Sequence, residues 1–102
     1  MQIETVTESI DRFILSLDEN TQARVLRCIE LLEKYEYKLG IPYSKSLHNS
    51  LFELRIIGNK QIRIIYCFRK NKIYLLNIFI KKVNRIPKKE IDLAIKRLNM
   101  LA

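Results

Sequence analysis

The chain has 102 residues, room for one domain and not two. Its 48% hydrophobic and 29% charged residues exclude wholesale disorder, and two Gly, two Pro and two Cys exclude collagen-like, low-complexity and disulfide-scaffold chains. The net charge of +8 is unevenly spread: residues 1–43 carry 5 basic and 8 acidic side chains, residues 44–102 carry 14 and 3. Solubility does not require such segregation, and a basic half on a mildly acidic half points to a polyanionic partner, most often nucleic acid.

The N-terminus carries Glu4 and Glu8 and lacks the basic-then-apolar pattern of a signal peptide. No apolar run approaches the roughly 18 residues of a membrane span. The expected location is therefore the cytoplasm, with no membrane partner. Cys28 and Cys67 are far apart and form no CxxC, which leaves zinc-ribbon and redox readings unsupported.

In chain order, Thr5-x-x-Glu8 fits a capping box, and Ile10, Phe13, Ile14 and Leu17 follow at helical spacing. Asp18 to Thr21 is a break rich in capping residues. Val25, Ile29, Leu32, Tyr35 and Leu39 form the stripe of a second helix, with Gly40 placed to end it at C′ and Pro42 to stop continuation. Residues 5–39 are thus predicted as a helical hairpin. Residues 41–50 are predicted as loop.

Three strand-like runs follow: Leu51 to Ile57, Gln61 to Arg69 and Ile73 to Ile80. Gly58-Asn59-Lys60 and Lys70-Asn71-Lys72 separate them as hairpin turns. A three-residue loop over 58–60 puts Phe52, Leu54 and Ile56 on one apolar face with Ile62, Ile64, Tyr66 and Phe68, to be packed on the helices. The opposite face carries Glu53, Arg55, Arg63, Cys67 and Arg69, with Arg55 directly across from Arg63. Like charges in that relation destabilise a sheet, and an anion seated between them removes the cost. The third run is apolar on both faces, so pattern does not fix its register. Pro87 suits the first position of a final amphipathic helix with Ile91, Ala94, Ile95, Leu98 and Leu101 inward.

Metal and nucleotide motifs such as HxxxH, HExxH and the phosphate-binding loop are absent. His48 stands alone in a loop, and Cys28 and Cys67 read as small core residues. What remains is a basic constellation on a sheet: Arg55, Arg63, Lys81 and Lys82, with Lys88 and Lys89 beyond. Arginine forks bind phosphate through paired N–H donors, and lysines supply point charges. Held on strands, they suit a phosphorane-like transition state in RNA cleavage by its own 2′-OH, which needs no metal or other cofactor. A nucleic-acid-binding face without chemistry fits the same residues, and composition does not separate the two.

Taken together, Pro42-Tyr43-Ser44-Lys45-x-Leu47, Leu51-Phe52-Glu53-Leu54-Arg55-Ile56, Arg63-Ile64-Ile65-Tyr66-Cys67-Phe68, Ile80-Lys81-Lys82 and Pro87-Lys88-Lys89-Glu90-Ile91 resemble the RelE/ParE toxin superfamily, and most closely its HigB-like branch with phage-derived relatives. The resemblance spans residues ~9–100 in the order of its elements. It implies an α+β fold over the whole chain: an N-terminal helical hairpin on an antiparallel sheet of three or more strands, with a short C-terminal helix. It implies a type II toxin paired with an antitoxin of helix-turn-helix type, acting on ribosome-bound mRNA. Carried over by position, Arg55, Arg63, Lys81 and Lys82 take the catalytic places. The resemblance also puts a further catalytic side chain in Val83 to Lys89, with Lys88 and Lys89 the candidates, and Arg69, Arg85, Lys88 and Lys89 are expected to bind RNA.

This chain departs from the pattern in three ways. Only Met1 to Val6 is available for the strand that precedes the first helix in relatives, so that strand is expected to be very short or missing. Asn77 stands where many relatives have His, and Asn does no acid–base work at neutral pH. Neither Tyr nor His occurs after Tyr74. Two other readings share the fold: a ParE-like gyrase inhibitor, and a relative that only binds its antitoxin or nucleic acid.

Overall fold

The computed structural model describes residues 1–101. Strand β1 (Gln2–Thr5) leads into helices α1 (Glu8–Ser16) and α2 (Glu19–Tyr35), and a single 3-10 turn (Glu36–Lys38) follows. Strands β2 (Ser44–Ser46), β3 (Phe52–Ile56), β4 (Ile62–Arg69) and β5 (Lys72–Ile80) come next, and helix α3 (Lys88–Asn99) closes the order. The sheet runs β1-β5-β4-β3-β2, with β1 parallel to β5 and every other pair antiparallel.

The α+β architecture is the expected one, with two strands added to the three-strand meander. The leading strand is present, four residues long, and pairs with Lys72 to Leu75. The stretch predicted as loop contains β2, whose Ser-Lys-Ser sequence carries no apolar alternation and forms a strand by pairing along β3.

The capping-box reading of Thr5 is overturned. Thr5 lies in β1, and α1 is capped at Thr7 without a side-chain hydrogen bond. Asp18 caps α2 through the backbone N–H of Thr21, as the break predicts. Gly40 is not the C′ residue. Helix α2 ends earlier, at Glu36, whose φ of 51° supplies the left-handed turn assigned to glycine. Pro87 sits at the N-cap of α3, one position before the expected one.

The β3–β4 register is the predicted one, with Arg55 opposite Arg63 and Ile56 opposite Ile62. The second hairpin turn is shorter than expected: Lys70 and Asn71, both at positive φ, join β4 to β5 in two residues.

Each sheet face has its own core. On one, Ile10 and Ile14 of α1 and Val25 and Leu32 of α2 pack on Leu54, Ile56, Ile62, Ile64 and Tyr66. On the other, Ile65, Cys67, Leu76 and Phe79 are covered by Ala94 of α3, with Ile91, Ile95 and Leu98 around it. Burying a side chain of this size stabilises the fold by about 1.5–3 kcal/mol. The two-sided cover explains why β5 is apolar on both faces.

A bulge completes the arrangement. Ile65 pairs with Asn77 while Tyr66 pairs with Leu75, leaving Leu76 as an extra residue in β5. It changes the phase of the strand, so that Leu76, Asn77 and Phe79 share the α3 face while Leu75 and Ile78 face α1 and α2. Arg97 of α3 donates to the bulged Leu76 carbonyl at 2.8 Å and holds the helix to this point.

Candidate RNA-cleavage face

Arg55 in β3 and Arg63 in β4 project from the α3 side of the sheet, next to the part that α3 covers. The anion that relieves their repulsion belongs to the protein itself. Glu53, two residues before Arg55 and therefore on the same face, is 2% exposed. Its Oε1 accepts from Arg55 Nε at 2.9 Å, and its Oε2 lies 3.4 Å from Arg63 Nε. The strand register makes this possible, since Glu53 pairs with Ile65 and so stands diagonal to Arg63. An external anion between the two arginines is thus not required by the fold, and that part of the sequence argument is corrected.

The two arginines are not equivalent. Arg63 is 7% exposed, donates from Nη1 to the Ile62 carbonyl at 3.0 Å, and has a buried Nε with no hydrogen bond of its own. Burial pulls its pKa below the ordinary arginine value; Glu53 opposes this and Arg55 adds to it. A guanidinium remains charged under such a shift. Arg55 is half-buried, with only its Nε engaged by a side chain, so the outer end of its fork stays open. The pair thus combines a fixed inner charge with an accessible outer one.

Lys81 extends the group. Its backbone N–H bonds to the Gln61 carbonyl at 2.7 Å, which carries the β4–β5 ladder one residue past β5. The alternation then assigns Lys81 to the face of Arg63, diagonal to it and beyond Phe79, Arg63's direct partner. Lys82 lies two residues past β5 and, with Lys89, lines a cleft beside Phe79 and Pro87. Arg85 and Lys88 are exposed in the turn and at the start of α3.

Arg69 stands apart. Six residues further along β4, it is roughly 20 Å from Arg63 at the rise of a strand. It donates to the Leu98 carbonyl at 3.1 Å, near the end of α3. The fold therefore brings Arg55, Arg63, Lys81 and Lys82 to one end of the sheet, with Lys88 and Lys89 adjoining, and puts Arg69 at the other.

Asn77 is 4% exposed and has a structural engagement. Its amide nitrogen donates to the Glu90 carbonyl at 3.0 Å and to Glu90 Oε1 at 3.1 Å, which ties the first turn of α3 to β5. Cys28 and Cys67 are buried thiols, both pushed above the ordinary 9.0 by burial, as suits core residues. His48 is exposed in its loop. Among the described residues, no group of three or more His, Cys, Asp or Glu side chains is placed to hold a metal, and no helix is long and apolar enough to cross a membrane.

Sequence reasoning placed Glu53 on this face but missed its role between the two arginines. The signal was present in the period-two spacing of Glu53 and Arg55 opposite Arg63, but an acidic residue in a strand reads first as a solvated one. It also missed that α3 covers the face carrying these residues, although the apolar Leu76 and Phe79 required some cover.

No curated relative matches the chain. The family model described as phage derived protein Gp49-like (DUF891) matches residues 12–99, from the middle of α1 to the last residue of α3. With nearly the whole fold inside the match, the chain belongs to the Gp49-like family of phage-derived, toxin-like proteins, within the RelE/HigB-like toxin superfamily.

Proposed function

We infer that this protein is the toxin of a type II toxin–antitoxin pair, of HigB-like type, and that it cleaves mRNA on the ribosome. The observation that carries the reading is the charge arrangement at one end of the sheet: a fixed Arg63, an open-forked Arg55 and Lys81 on one face, with Lys82 beside them. In cleavage by the neighbouring 2′-OH, the phosphate gains negative charge on the way to a five-coordinate transition state. Cations already held in place stabilise that charge without reorganising. Arg55 and Lys81 meet the phosphate, and Arg63 sets the field from behind. Lys82, Lys88, Lys89 and Arg85 guide the flanking backbone. The nucleophile comes from the substrate, so no metal or other cofactor enters. With Asn77 tied to Glu90, proton transfer falls to a lysine or to groups of the ribosome. The site of action is the cytoplasm, and a cognate antitoxin, of helix-turn-helix type, silences the toxin.

Primer extension on an mRNA in a purified translation system tests this. Wild type is expected to give codon-positioned cuts that require ribosomes, and Arg55→Ala and Arg63→Ala each to remove them while circular dichroism shows a folded chain. Intact mRNA with folded wild-type protein overturns the reading. Gyrase-dependent DNA breaks in the same preparation would replace it with gyrase inhibition.

A further inference from the structure

Strand β3 loses its outer partner before it ends. The Arg55 N–H donates to the Tyr43 carbonyl at 2.8 Å, but the Tyr43 N–H does not return the bond and turns to the Gly40 carbonyl at 2.9 Å. In an antiparallel strand the N–H and C=O of one residue share a side, and that side recurs two residues on. The Arg55 C=O and the Ile57 N–H therefore point together past the end of β2, towards α2. The carbonyl receives only the Cys28 thiol, at 3.8 Å, and the Ile57 N–H has no backbone acceptor among the described residues. Next along the edge, Arg24 Nη1 donates to the Ile57 carbonyl at 3.3 Å. Gly58 makes room for this arginine, since a Cβ there would stand 2.9 Å from Arg24 Cδ.

These groups open into a pocket of about 170 Å³ between α2 and β3, on the helical-hairpin side of the sheet. Leu31 and Ile56 make it apolar, and Tyr43, 42% exposed, adds an aromatic ring. Arg24 and Arg27, one turn apart on α2, supply charge. No carboxylate lines the pocket, and neither arginine forms an ion pair among the described residues. We propose that this pocket binds an adenylate, with the base on the β3 edge and the phosphate on Arg24 and Arg27. The free edge reads acceptor then donor, and the groups on either side of it are already paired. A flat ring with one donor beside one acceptor completes it. The N6 amino group and N1 of adenine have that order, and the C–H next to N1 brings no polar atom against the Ile57 carbonyl. A keto purine has the reverse order, so it must turn over and carry its ribose to the other side. The volume is below the roughly 300–1,000 Å³ of a drug-sized site, which suits one base with its phosphate outside. Arginine forks at the rim bind that phosphate through paired donors.

The probe is adenosine 5′-monophosphate, titrated into the full-length protein and followed by amide NMR and calorimetry. Binding is expected to shift the Ile57 amide and slow its exchange, with the amides of Lys81 to Lys89 unmoved. The N6,N6-dimethyl analogue lacks the donor and the 1-deaza analogue lacks the acceptor. Each is expected to bind at least about tenfold more weakly, as is guanylate. Adenosine without phosphate, and the exposed Arg27→Glu variant with the full nucleotide, are expected to lose at least about tenfold as well. The trinucleotide ApApA separates the two sources of this chemistry. Tighter binding of the mononucleotide identifies a free adenine nucleotide, and tighter binding of ApApA with the same Ile57 shift identifies an unstacked adenosine of RNA.

No binding at millimolar nucleotide, equal affinity for the dimethyl, deaza or guanine forms, or shifts confined to Lys81 to Lys89 overturns the proposal. The altered nucleotides decide the matter on the wild-type chain, whatever becomes of the variant. The pocket does not depend on the toxin reading: it lies on the other side of the sheet from α3, and mRNA cleavage is scored in its own assay.

Discussion

Glu53 shows how one buried carboxylate changes the meaning of its neighbours. Without it, Arg55 and Arg63 would be like charges facing each other across a strand pair, one of them out of water. With it, both guanidinium groups are aimed and one of their two charges is balanced from within. Removing one partner of a buried charge pair leaves the rest uncompensated, a loss of about 3 kcal/mol or more. Glu53→Gln keeps the shape and removes the charge, so a large drop in denaturant midpoint, with Arg55→Met/Glu53→Gln recovering part of it, is the expected result. A midpoint unchanged in Glu53→Gln would show that solvent already screens the group.

At the level of elements, legibility followed periodicity. The β3–β4 pairing was readable because alternation ran unbroken through both strands and a one-residue slip would have exposed every apolar residue. β5 was not, because the bulge at Leu76 resets its phase and α3 covers its second face. β2 was hidden because three polar residues have no pattern of their own, and its position is set by neighbours. Those neighbours include Tyr66, whose hydroxyl reaches past β3 to bond the buried Ser44 hydroxyl. The opposition of Arg55 and Arg63 was readable from alternation, whereas Glu53's role needed the third dimension. Tyr66→Phe strands the Ser44 hydroxyl and is expected to cost about 1–3 kcal/mol, while Ser44→Ala/Tyr66→Phe together should cost less than the two single changes summed. Urea melts of the cycle measure the difference, and strict additivity would refute the coupling.

Three buried groups make the stability of the whole molecule sensitive to alkaline pH. Burial raises the pKa of Cys28, Cys67 and Tyr66, with the Ser44 hydrogen bond partly offsetting it for Tyr66. Their neutral forms belong to the fold. The stability they contribute is complete below the ordinary values of 9.0 for the thiols and 10.0 for the phenol and is lost as pH rises through the raised ones. Melting temperatures followed from about pH 7 to about pH 11 should therefore stay level first and then fall, and Cys67→Ala should remove part of the fall. The charge of the whole molecule makes a second prediction. With four phosphate contacts, log affinity for single-stranded RNA should fall with log salt at a slope of about −3, and Lys82→Ala should reduce the slope by roughly 0.7. A slope near zero would mean that the cations do not meet phosphate.

The pairing of β1 with β5 has a consequence in time. Residues 2–5 have no partner until residues 72–75 exist, and α3 then has to arrive to cover Leu76 and Phe79. The sheet of a nascent chain therefore stays open, with apolar surface bare, until β5 and α3 have been made. Non-local pairing of this kind also closes slowly once the chain is free. The newly made protein passes through an interval in which its bare sheet surface is open to aggregation.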